Sequence, residues 1–277
     1  MSVQDEKMTD KIFETLECPI CGAAFSLNES GKSIVCAGVR HHCWDIASGG
    51  FVNFSGSHGG DSKEAVAARR HFLALGYYEP LARRIKELLG ELAPGVSVCD
   101  AGCGEGYYSS AIAAGGHRVF GFDLSRPAVA AAAKRKLPDS FFSVAGINAM
   151  PVRDCSFGGL VNIFAPCFED EFSRVLRHGG IMILASAGAK HLYELKAAIY
   201  DEPTENTERA DLPTDLSLIG REELKYSFTL DDREDIRALF AMTPYYYRTS
   251  FSDAGRLASL DRLGVTADFD IYVYRKD

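Results

Sequence analysis

The pattern of apolar and polar positions changes near Glu64. From there on, short apolar runs recur between segments rich in Ala, Leu and charged residues, which predicts strands that alternate with helices. The predicted strands cover residues 96–100, 118–123, 141–144, 159–164, 181–185, 224–230 and 268–274, and the predicted helices cover residues 64–75, 79–90, 127–136, 168–176 and 231–240. Alternation of this kind is typical of an α/β fold with a parallel sheet covered on both faces.

The first 63 residues lack this alternation and divide into three parts. Residues 1–17 are polar and charged, and we expect a leader with little regular structure. Residues 18–54 contain four of the eight cysteines and predict a small module, while the Gly/Ser-rich residues 55–63 predict a linker. The expected domains are therefore a leader, a module, a linker and an α/β domain over residues 64–277.

Composition narrows the possible classes of protein. The 277 residues are 47% hydrophobic and 25% charged, which is ordinary globular composition. The N-terminus has no apolar signal core and no stretch is apolar for the length of a membrane helix, so we expect a cytoplasmic protein without membrane contact. The net charge of -8 argues mildly against nucleic-acid binding, although an acidic protein can still carry a local basic surface.

Cysteines of the N-terminal module have the spacing of metal ligands. Cys18 and Cys21 are separated by Pro19-Ile20, so both thiolates can face one ion. A second cluster follows, in which four residues compete for two remaining places: Cys36, His41, His42 and Cys43. Reduced thiols that bind nothing are the alternative. Because about 35 residues bury too little apolar surface to fold alone, a structural zinc ion would stabilise the module.

A glycine-rich turn follows the first predicted strand of the α/β domain. Gly102, Gly104 and Gly106 allow a tight turn and a close approach of the backbone to a ligand. Asp123 ends the next strand, about 20 residues later, where an acid can accept hydrogen bonds from ribose hydroxyls. The spacing therefore predicts a nucleotide-like cofactor.

Three interpretations of this turn compete. A dinucleotide would place its pyrophosphate at the helix N-terminus, where Asp100 and Glu105 would repel it. The same carboxylates suit the ammonium group of S-adenosylmethionine, and the spacing D-x-G-x-G-x-G favours that cofactor. A purely structural turn is the third possibility. We predict S-adenosylmethionine, with Asp100, Cys103, Asp123 and the three glycines at its site.

The segment that ends the fourth predicted strand is placed to meet the acceptor of the methyl group. Asn162-Ile163-Phe164-Ala165-Pro166-Cys167 lies where ligands bind in open parallel sheets, outside the carboxyl ends of strands. Pro166 and Cys167 are therefore candidates for the acceptor pocket. Cys167 is either a nucleophile that adds to a pyrimidine ring or a small apolar wall of the pocket.

These motifs resemble the bacterial 23S ribosomal RNA guanine N(1)-methyltransferase family, from about Cys18 to the last strand. The resemblance depends on specific segments: residues 18–21, 42–47, 50–53, 61–62, 68–73, 76–81, 102–108, 165–167, 191–196 and 242–245. It implies a Rossmann-like class I methyltransferase domain with an N-terminal zinc-binding module. It also implies a homodimer whose cleft receives RNA.

The resemblance assigns roles to several residues. The family's Cys-Cys-Cys-His zinc set corresponds to Cys18, Cys21, Cys36 and His42, although the gap before His42 is longer than expected, and His41 and Cys43 remain alternatives. The family's tyrosine and histidine that contact the cofactor correspond to Tyr78 and His191. Basic residues that could face RNA, or simply form solvated helix faces, are Arg69, Arg70, His71, Arg83, Arg84 and Lys86.

The expected reaction is therefore methylation of ring nitrogen 1 of a guanine in a hairpin of 23S ribosomal RNA by S-adenosylmethionine. A small-molecule methyltransferase like those of the ubiquinone pathway, or a non-catalytic RNA-binding protein that retains the cofactor pocket, are the alternatives. No residue is an obvious general base for the guanine proton. The aromatic residues 245–247 either stack on an unpaired base or pack against the sheet.

Overall fold

The computed structural model describes residues 11–56, 59–207, 209, 211–250, 255–257 and 259–277. Two sheets are present in this part of the chain, one of three strands and one of eight. The small sheet contains β1 (Phe25–Leu27), β2 (Ser33–Cys36) and β3 (Cys43–Asp45) in the order β1-β2-β3, and its strands are antiparallel. It forms the core of the N-terminal module.

The large sheet has strand order β10-β11-β9-β8-β5-β6-β7-β4. Its strands are β4 (Val52–Asn53), β5 (Ser97–Ala101), β6 (Arg118–Asp123), β7 (Ser140–Val144), β8 (Phe157–Ile163), β9 (Leu176–Ala187), β10 (Ser217–Leu230) and β11 (Leu263–Arg275). β4 to β9 are parallel, while β11 is antiparallel to both β9 and β10. The Rossmann-like α/β arrangement expected from the sequence is confirmed.

Helices cover both faces of this sheet: α1 (Lys63–Ala74), α2 (Glu79–Leu92), α3 (Tyr107–Ala114), α4 (Arg126–Ala133), α5 (Glu169–Val175), α6 (Tyr193–Ile199) and α7 (Arg233–Ala241). Successive residues of the central strands point to opposite faces. Val98 packs with the helices α2, α6 and α7, whereas Cys99 packs with α5 and the N-terminal module. The central strands are therefore apolar on both sides, as their continuous apolar runs predicted.

Several element boundaries differ from the expectation. The strand predicted at residues 181–185 begins earlier, at Leu176, because Leu176 pairs with Phe157 of β8 and the backbones of Gly179 and Gly180 form hydrogen bonds with Lys276. Strands β10 and β11 likewise begin earlier than predicted, at Ser217 and Leu263, since each supplies the partner of the other. Pairing between distant segments, which no local pattern reports, fixed these ends.

The predicted leader is partly structured. Residues 1–10 lie outside the described residues, but residues 11–15 form a helical turn. Leu16 is completely buried and forms an isolated antiparallel bridge with Val152. The expectation of little structure is therefore wrong at this end, because apolar Ile12, Phe13 and Leu16 pack on the sheet.

The predicted boundaries of the module and the linker also differ from the structure. β4 falls inside residues 18–54 but belongs to the large sheet, where it pairs in parallel with β7. In the linker, Gly60 has a positive φ of 76°, and a Cβ there would lie 2.5 Å from the backbone nitrogen of Ser125. This part of the Gly-rich segment is therefore packed against Ser125, at the start of α4.

Among the residues described, no helix is both long and apolar enough to span a lipid bilayer.

Candidate functional site

The side chains of Cys18, Cys21, Cys36 and His42 meet at one point of the N-terminal module. Their ligand atoms lie within 4.8 Å of one another. The distance between the sulfurs of Cys21 and Cys36 is 3.7 Å, and His42 Nδ1 lies 3.5–3.6 Å from the three sulfurs. A tetrahedral zinc ion with ordinary bond lengths would separate two sulfurs by about 3.8 Å and sulfur from nitrogen by about 3.5 Å. The four residues fit such an ion.

The local structure separates His42 from its two neighbours. His42 precedes β3, and its backbone N–H donates to the sulfur of Cys36 at 3.2 Å. His41 is exposed with a left-handed φ of 45°, and Cys43 is also exposed. Gly38 completes the loop, since a Cβ there would lie only 2.8 Å from the sulfur of Cys21. The ambiguous second cluster therefore contributes Cys36 and His42 to the group.

The candidate cofactor and acceptor residues converge at the carboxyl edge of the large sheet. β5, β6, β8 and β9 are parallel and end in the glycine-rich turn, at Asp123, at Phe164 and in the loop that carries His191. Parallel strands bring their carboxyl ends to one side, and that side is where ligands bind in such sheets. Residues from distant parts of the sequence thus form one site.

The glycine-rich turn has the backbone that its sequence predicts. Gly102, Gly104 and Gly106 have φ values of 86°, 53° and 82°, which side chains other than glycine rarely adopt. A Cβ at Gly102 would lie 2.6 Å from that of Ala165 in the acceptor segment. Cys103 is buried beneath the turn, where its sulfur contributes to the core. The turn is open to a ligand through its backbone, whereas the Cys103 thiol is not.

Asp123 joins the turn to the next helix. Its two carboxylate oxygens accept hydrogen bonds from the backbone nitrogens of Gly104 at 3.0 Å and Ser125 at 2.7 Å. Burial raises the pKa of the Asp123 carboxyl, and the two N–H donors oppose that shift. Each oxygen retains a lone pair, so the carboxylate can still accept hydrogen bonds from a ribose.

The other two carboxylates of the turn are engaged below its surface. Asp100 is buried and accepts a hydrogen bond from Ser109 Oγ at 2.5 Å, and burial raises the pKa of Asp100 to about 7. A nearby cation would stabilise its charged form. Glu105 is buried and forms an ion pair with Arg135. The charge of Glu105 is therefore compensated within the protein and is not directed to a ligand.

Tyr78 and His191 form a buried pair beside the acceptor segment. The Tyr78 hydroxyl lies 3.1 Å from His191 Nε2, and the backbone N–H of Asp268 donates to His191 Nδ1 at 3.3 Å. Burial lowers the pKa of His191 to about 4, so the ring is neutral at pH 7. Because Nδ1 accepts a hydrogen bond, the proton of the neutral ring lies on Nε2. That proton leaves the Tyr78 hydroxyl hydrogen available to another acceptor.

Two features of the acceptor side were missed by the sequence-based reasoning. Phe164 has a left-handed φ of 55° and stacks on His191, with 44% of its surface exposed. Arg209 and Asp211 hold the acceptor segment: Arg209 donates to the carbonyl oxygen of Ala165, and Asp211 accepts a hydrogen bond from the backbone nitrogen of Cys167, both at 2.8 Å. The sequence analysis assigned no role to the segment that contains Arg209 and Asp211.

Most of the basic residues considered for RNA binding are paired with acids of the protein. Arg69 contacts Asp61, His71 contacts Asp235, and Arg84 contacts Glu222. Arg83 also lies near Glu79, at 3.8 Å. These contacts favour the alternative of solvated helix faces for this set.

Comparisons with known proteins identify relatives of this chain among methyltransferases. Residues 92–232 match the family model described as "Methyltransferase domain". The chain is 30% identical, over 95% of its length and 98% of the relative's, to "Putative 23S rRNA (guanine-N(1)-)-methyltransferase YxjB" of Bacillus subtilis (strain 168). It is also 30% identical to the 23S rRNA (guanine(748)-N(1))-methyltransferase of Streptomyces fradiae, over 86% of this chain and 87% of that protein.

A different class of methyltransferase matches a smaller part of the chain. The malonyl-[acyl-carrier protein] O-methyltransferase of Erwinia pyrifoliae (strain DSM 12163 / CIP 106111 / Ep16/96) is 34% identical over 50% of this chain and 56% of its own length. The likeness to that protein thus stops at about half of the sequence.

We predict that the purified protein contains about one zinc ion per chain, because three thiolates and an imidazole have the geometry of a closed structural site. Cys21→Ser should lose the metal, whereas Cys43→Ser, a matched change at an exposed cysteine of the same module, should retain it. Elemental analysis of both variants measures this. Full zinc occupancy in Cys21→Ser, or loss in His41→Ala with retention in His42→Ala, would contradict the assigned set.

We predict that Asp123→Asn weakens binding of S-adenosylmethionine by about 1–3 kcal/mol, because the charged acceptor for the ribose hydroxyls is lost while the side-chain shape is kept. Calorimetric titration of the cofactor measures the change. Asp139→Asn, at an exposed position beyond α4, is the matched control and should bind like the parent. Unchanged affinity in Asp123→Asn, or tighter binding of NAD than of S-adenosylmethionine by the parent, would overturn the cofactor assignment.

Proposed function

The chain belongs to the family of 23S rRNA (guanine-N(1)-)-methyltransferases, and from that premise we propose that it methylates ring nitrogen 1 of a guanine in a hairpin of 23S ribosomal RNA. S-adenosylmethionine supplies the methyl group from a positively charged sulfur. The reaction takes place in the cytoplasm, where ribosomes are assembled.

One observation carries the proposal: the likeness to the rRNA methyltransferases extends over 95% of the chain. A match of that length includes the N-terminal module together with the α/β domain. The O-methyltransferase likeness covers only 50% of the chain. A small-molecule acceptor, the first alternative, would not account for a likeness that includes the N-terminal module.

The residues at the carboxyl edge fit S-adenosylmethionine. Asp123 is placed to accept hydrogen bonds from ribose hydroxyls, and the glycine-rich turn lets the backbone approach the ligand. Burial raises the pKa of Asp100 to about 7, and a nearby cation would favour its ionised form. Tyr78 offers a hydroxyl proton beside the acceptor segment. Holding the reactants in line supplies much of the rate in such transfers.

The acceptor side fits a flat base. The exposed ring of Phe164 lies on His191 and beside Tyr78, with ring centroids 5.8 and 6.4 Å apart. Unpaired bases of RNA bind proteins by stacking on such rings. A neutral His191 adds no charge to this surface. An unpaired guanine presented on this ring has its pairing edge free for reaction.

A cleft between α1 and α4 could receive the RNA backbone. It has a volume of about 440 Å³ and is lined by residues that include Arg70, Lys134 and Arg135. Arg135 is paired with Glu105, which leaves Arg70 and Lys134 as the cations for phosphate contacts.

We also propose that the N-terminal module binds a zinc ion and, from the family resemblance, that the protein forms a homodimer.

We predict that the parent protein with S-adenosylmethionine creates one strong stop when reverse transcriptase copies large-subunit RNA, because a methyl group on ring nitrogen 1 blocks base pairing. Mass spectrometry of the RNA nucleosides should show 1-methylguanosine. Asp123→Asn should give a weaker stop at the same cofactor concentration. Cofactor binding without any methyl transfer to RNA would favour the non-catalytic alternative, and transfer to a small carboxylic acid instead would favour the small-molecule one.

We predict that Cys167→Ala retains substantial methyl transfer, because burial raises the pKa of the Cys167 thiol to about 11 and keeps it protonated at neutral pH. A protonated thiol is a poor nucleophile. A nitrogen acceptor also needs no covalent step. The assay is transfer from labelled cofactor to large-subunit RNA, with the exposed Cys155→Ala as matched control. Complete loss in Cys167→Ala, with a covalent RNA adduct trapped in the parent, would show that a pyrimidine is the substrate.

A further inference from the structure

Arg209 and Asp211 close over the acceptor segment from a distant part of the chain. The guanidinium of Arg209 donates to both carboxylate oxygens of Asp211, at 2.5 and 2.9 Å. The same guanidinium donates to the carbonyl oxygen of Ala165, and Asp211 accepts from the backbone nitrogen of Cys167. The ion pair therefore lies directly against the tripeptide Ala165-Pro166-Cys167.

The two members of this ion pair differ in exposure. The Arg209 side chain is 11% exposed, whereas that of Asp211 is 47% exposed. A buried arginine with a carboxylate at its outer end fixes the direction of that carboxylate. Asp211 thus presents a rigid, charged acceptor next to the acceptor segment, with part of its surface free to meet a ligand.

Methylation of guanine at ring nitrogen 1 makes a specific demand on the site. That nitrogen carries a hydrogen, and its electron pair becomes available for attack only as the hydrogen leaves. The pairing edge of guanine presents this N–H beside an amino group, so a carboxylate can accept hydrogen bonds from both. A proton acceptor within hydrogen-bond reach of ring nitrogen 1 is therefore required.

Resting on the proposed function, we propose that Asp211 is the general base of this enzyme and accepts the proton of guanine ring nitrogen 1. As the nitrogen–hydrogen bond breaks, its electron pair forms the bond to the methyl carbon. The carbon–sulfur bond breaks at the same time and its electron pair stays on sulfur. The products are 1-methylguanine, S-adenosylhomocysteine and a protonated Asp211, which returns its proton to water.

The other titratable groups of the site are engaged elsewhere. Asp123 lies at the glycine-rich turn, where its oxygens accept from Gly104 and Ser125, and Asp100 is buried beneath that turn with Ser109. Both ring nitrogens of His191 are occupied, by Tyr78 and by the backbone of Asp268. Among the residues described at this edge, Asp211 combines a place on the acceptor segment with an exposed carboxylate.

The charged and titratable groups that face Asp211 set its state. Arg209 lies on the same segment as Asp211, while Cys167 and Glu169 lie on the segment that follows β8. Tyr274 on β11 lies near Cys167, Arg209 and Glu169. The hydrogen bond from Arg209 holds the pKa of the Asp211 carboxyl below its ordinary value. The carboxylate is therefore ionised and ready to accept a proton throughout the neutral range. Attack on the methyl group makes the ring proton far more acidic, so this carboxylate can take it.

The test compares the pH dependence of methyl transfer by the parent and by Asp211→Asn, with unmethylated 23S RNA as substrate and the position of the methyl group verified by primer extension. The asparagine keeps an oxygen for the backbone nitrogen of Cys167 but cannot accept the proton. At pH 7 we expect the rate to fall by about 100-fold or more, the usual contribution of a general base. The rate of the variant should then rise about tenfold per pH unit as the guanine loses its proton to the solvent, while the parent varies little over the same interval.

Controls separate this role from a structural one. Asp215→Asn, an exposed acid of the same segment, should behave like the parent. Asp211→Asn should bind S-adenosylmethionine, by calorimetry, and the RNA, by gel shift with S-adenosylhomocysteine, as the parent does. A loss of rate that is equal at every pH, a rate within threefold of the parent at pH 7, or a pH-dependent rescue seen in Glu169→Gln instead would overturn the inference alone. A parent that methylates another atom would overturn the proposed function and this inference together.

Discussion

The close contact between Gly102 and Ala165 is the constraint on which the rest of the site depends. With 2.6 Å between a Cβ at Gly102 and the Cβ of Ala165, only glycine permits the two loops to touch. One of these loops follows β5 and carries the proposed cofactor site, while the other follows β8 and carries the proposed acceptor segment. Neighbouring parallel strands bring the loops side by side, and the missing side chain removes the last barrier between them. A larger residue there would separate the two halves of the reaction.

Burial then decides which of the polar groups carry charge. His191 is neutral because desolvation lowers its pKa to about 4, and the Cys167 thiol stays protonated because desolvation raises its pKa to about 11. Asp211, by contrast, stays ionised because Arg209 donates to it. The acceptor side thus consists of uncharged rings with the anchored carboxylate of Asp211 beside them. Such a surface can bind an uncharged base without the cost of displacing a strong counter-charge.

Local patterns predicted those parts of the molecule that local chemistry determines. The glycine-rich turn, Asp123 and the order of strands and helices followed from spacing and from apolar runs. The left-handed backbone of Phe164 and the resulting position of its ring could not be predicted, since nothing in the neighbouring sequence reveals them. Asp211 could not be predicted either, because its partner Cys167 lies 44 residues earlier and the chain between them forms α5, β9 and α6 before it returns. Charge was misleading for the arginines of α1 and α2, because acids of the protein already pair with them, Asp61 with Arg69 and Glu222 with Arg84.

Two of the candidate metal ligands of the N-terminal module, Cys18 and Cys36, pack against the large sheet. Cys18 and Cys36 are buried in the same apolar cluster as Leu16, Phe25 and the inner side chains of the large sheet. Leu16 pairs with Val152, and β4 adds an edge strand beside β7. Three thiolates this close together would repel one another, and without a cation the buried thiols of Cys18 and Cys36 would have to remain protonated. A metal ion at this point would therefore stabilise the packing of the sheet face as well as the fold of the module.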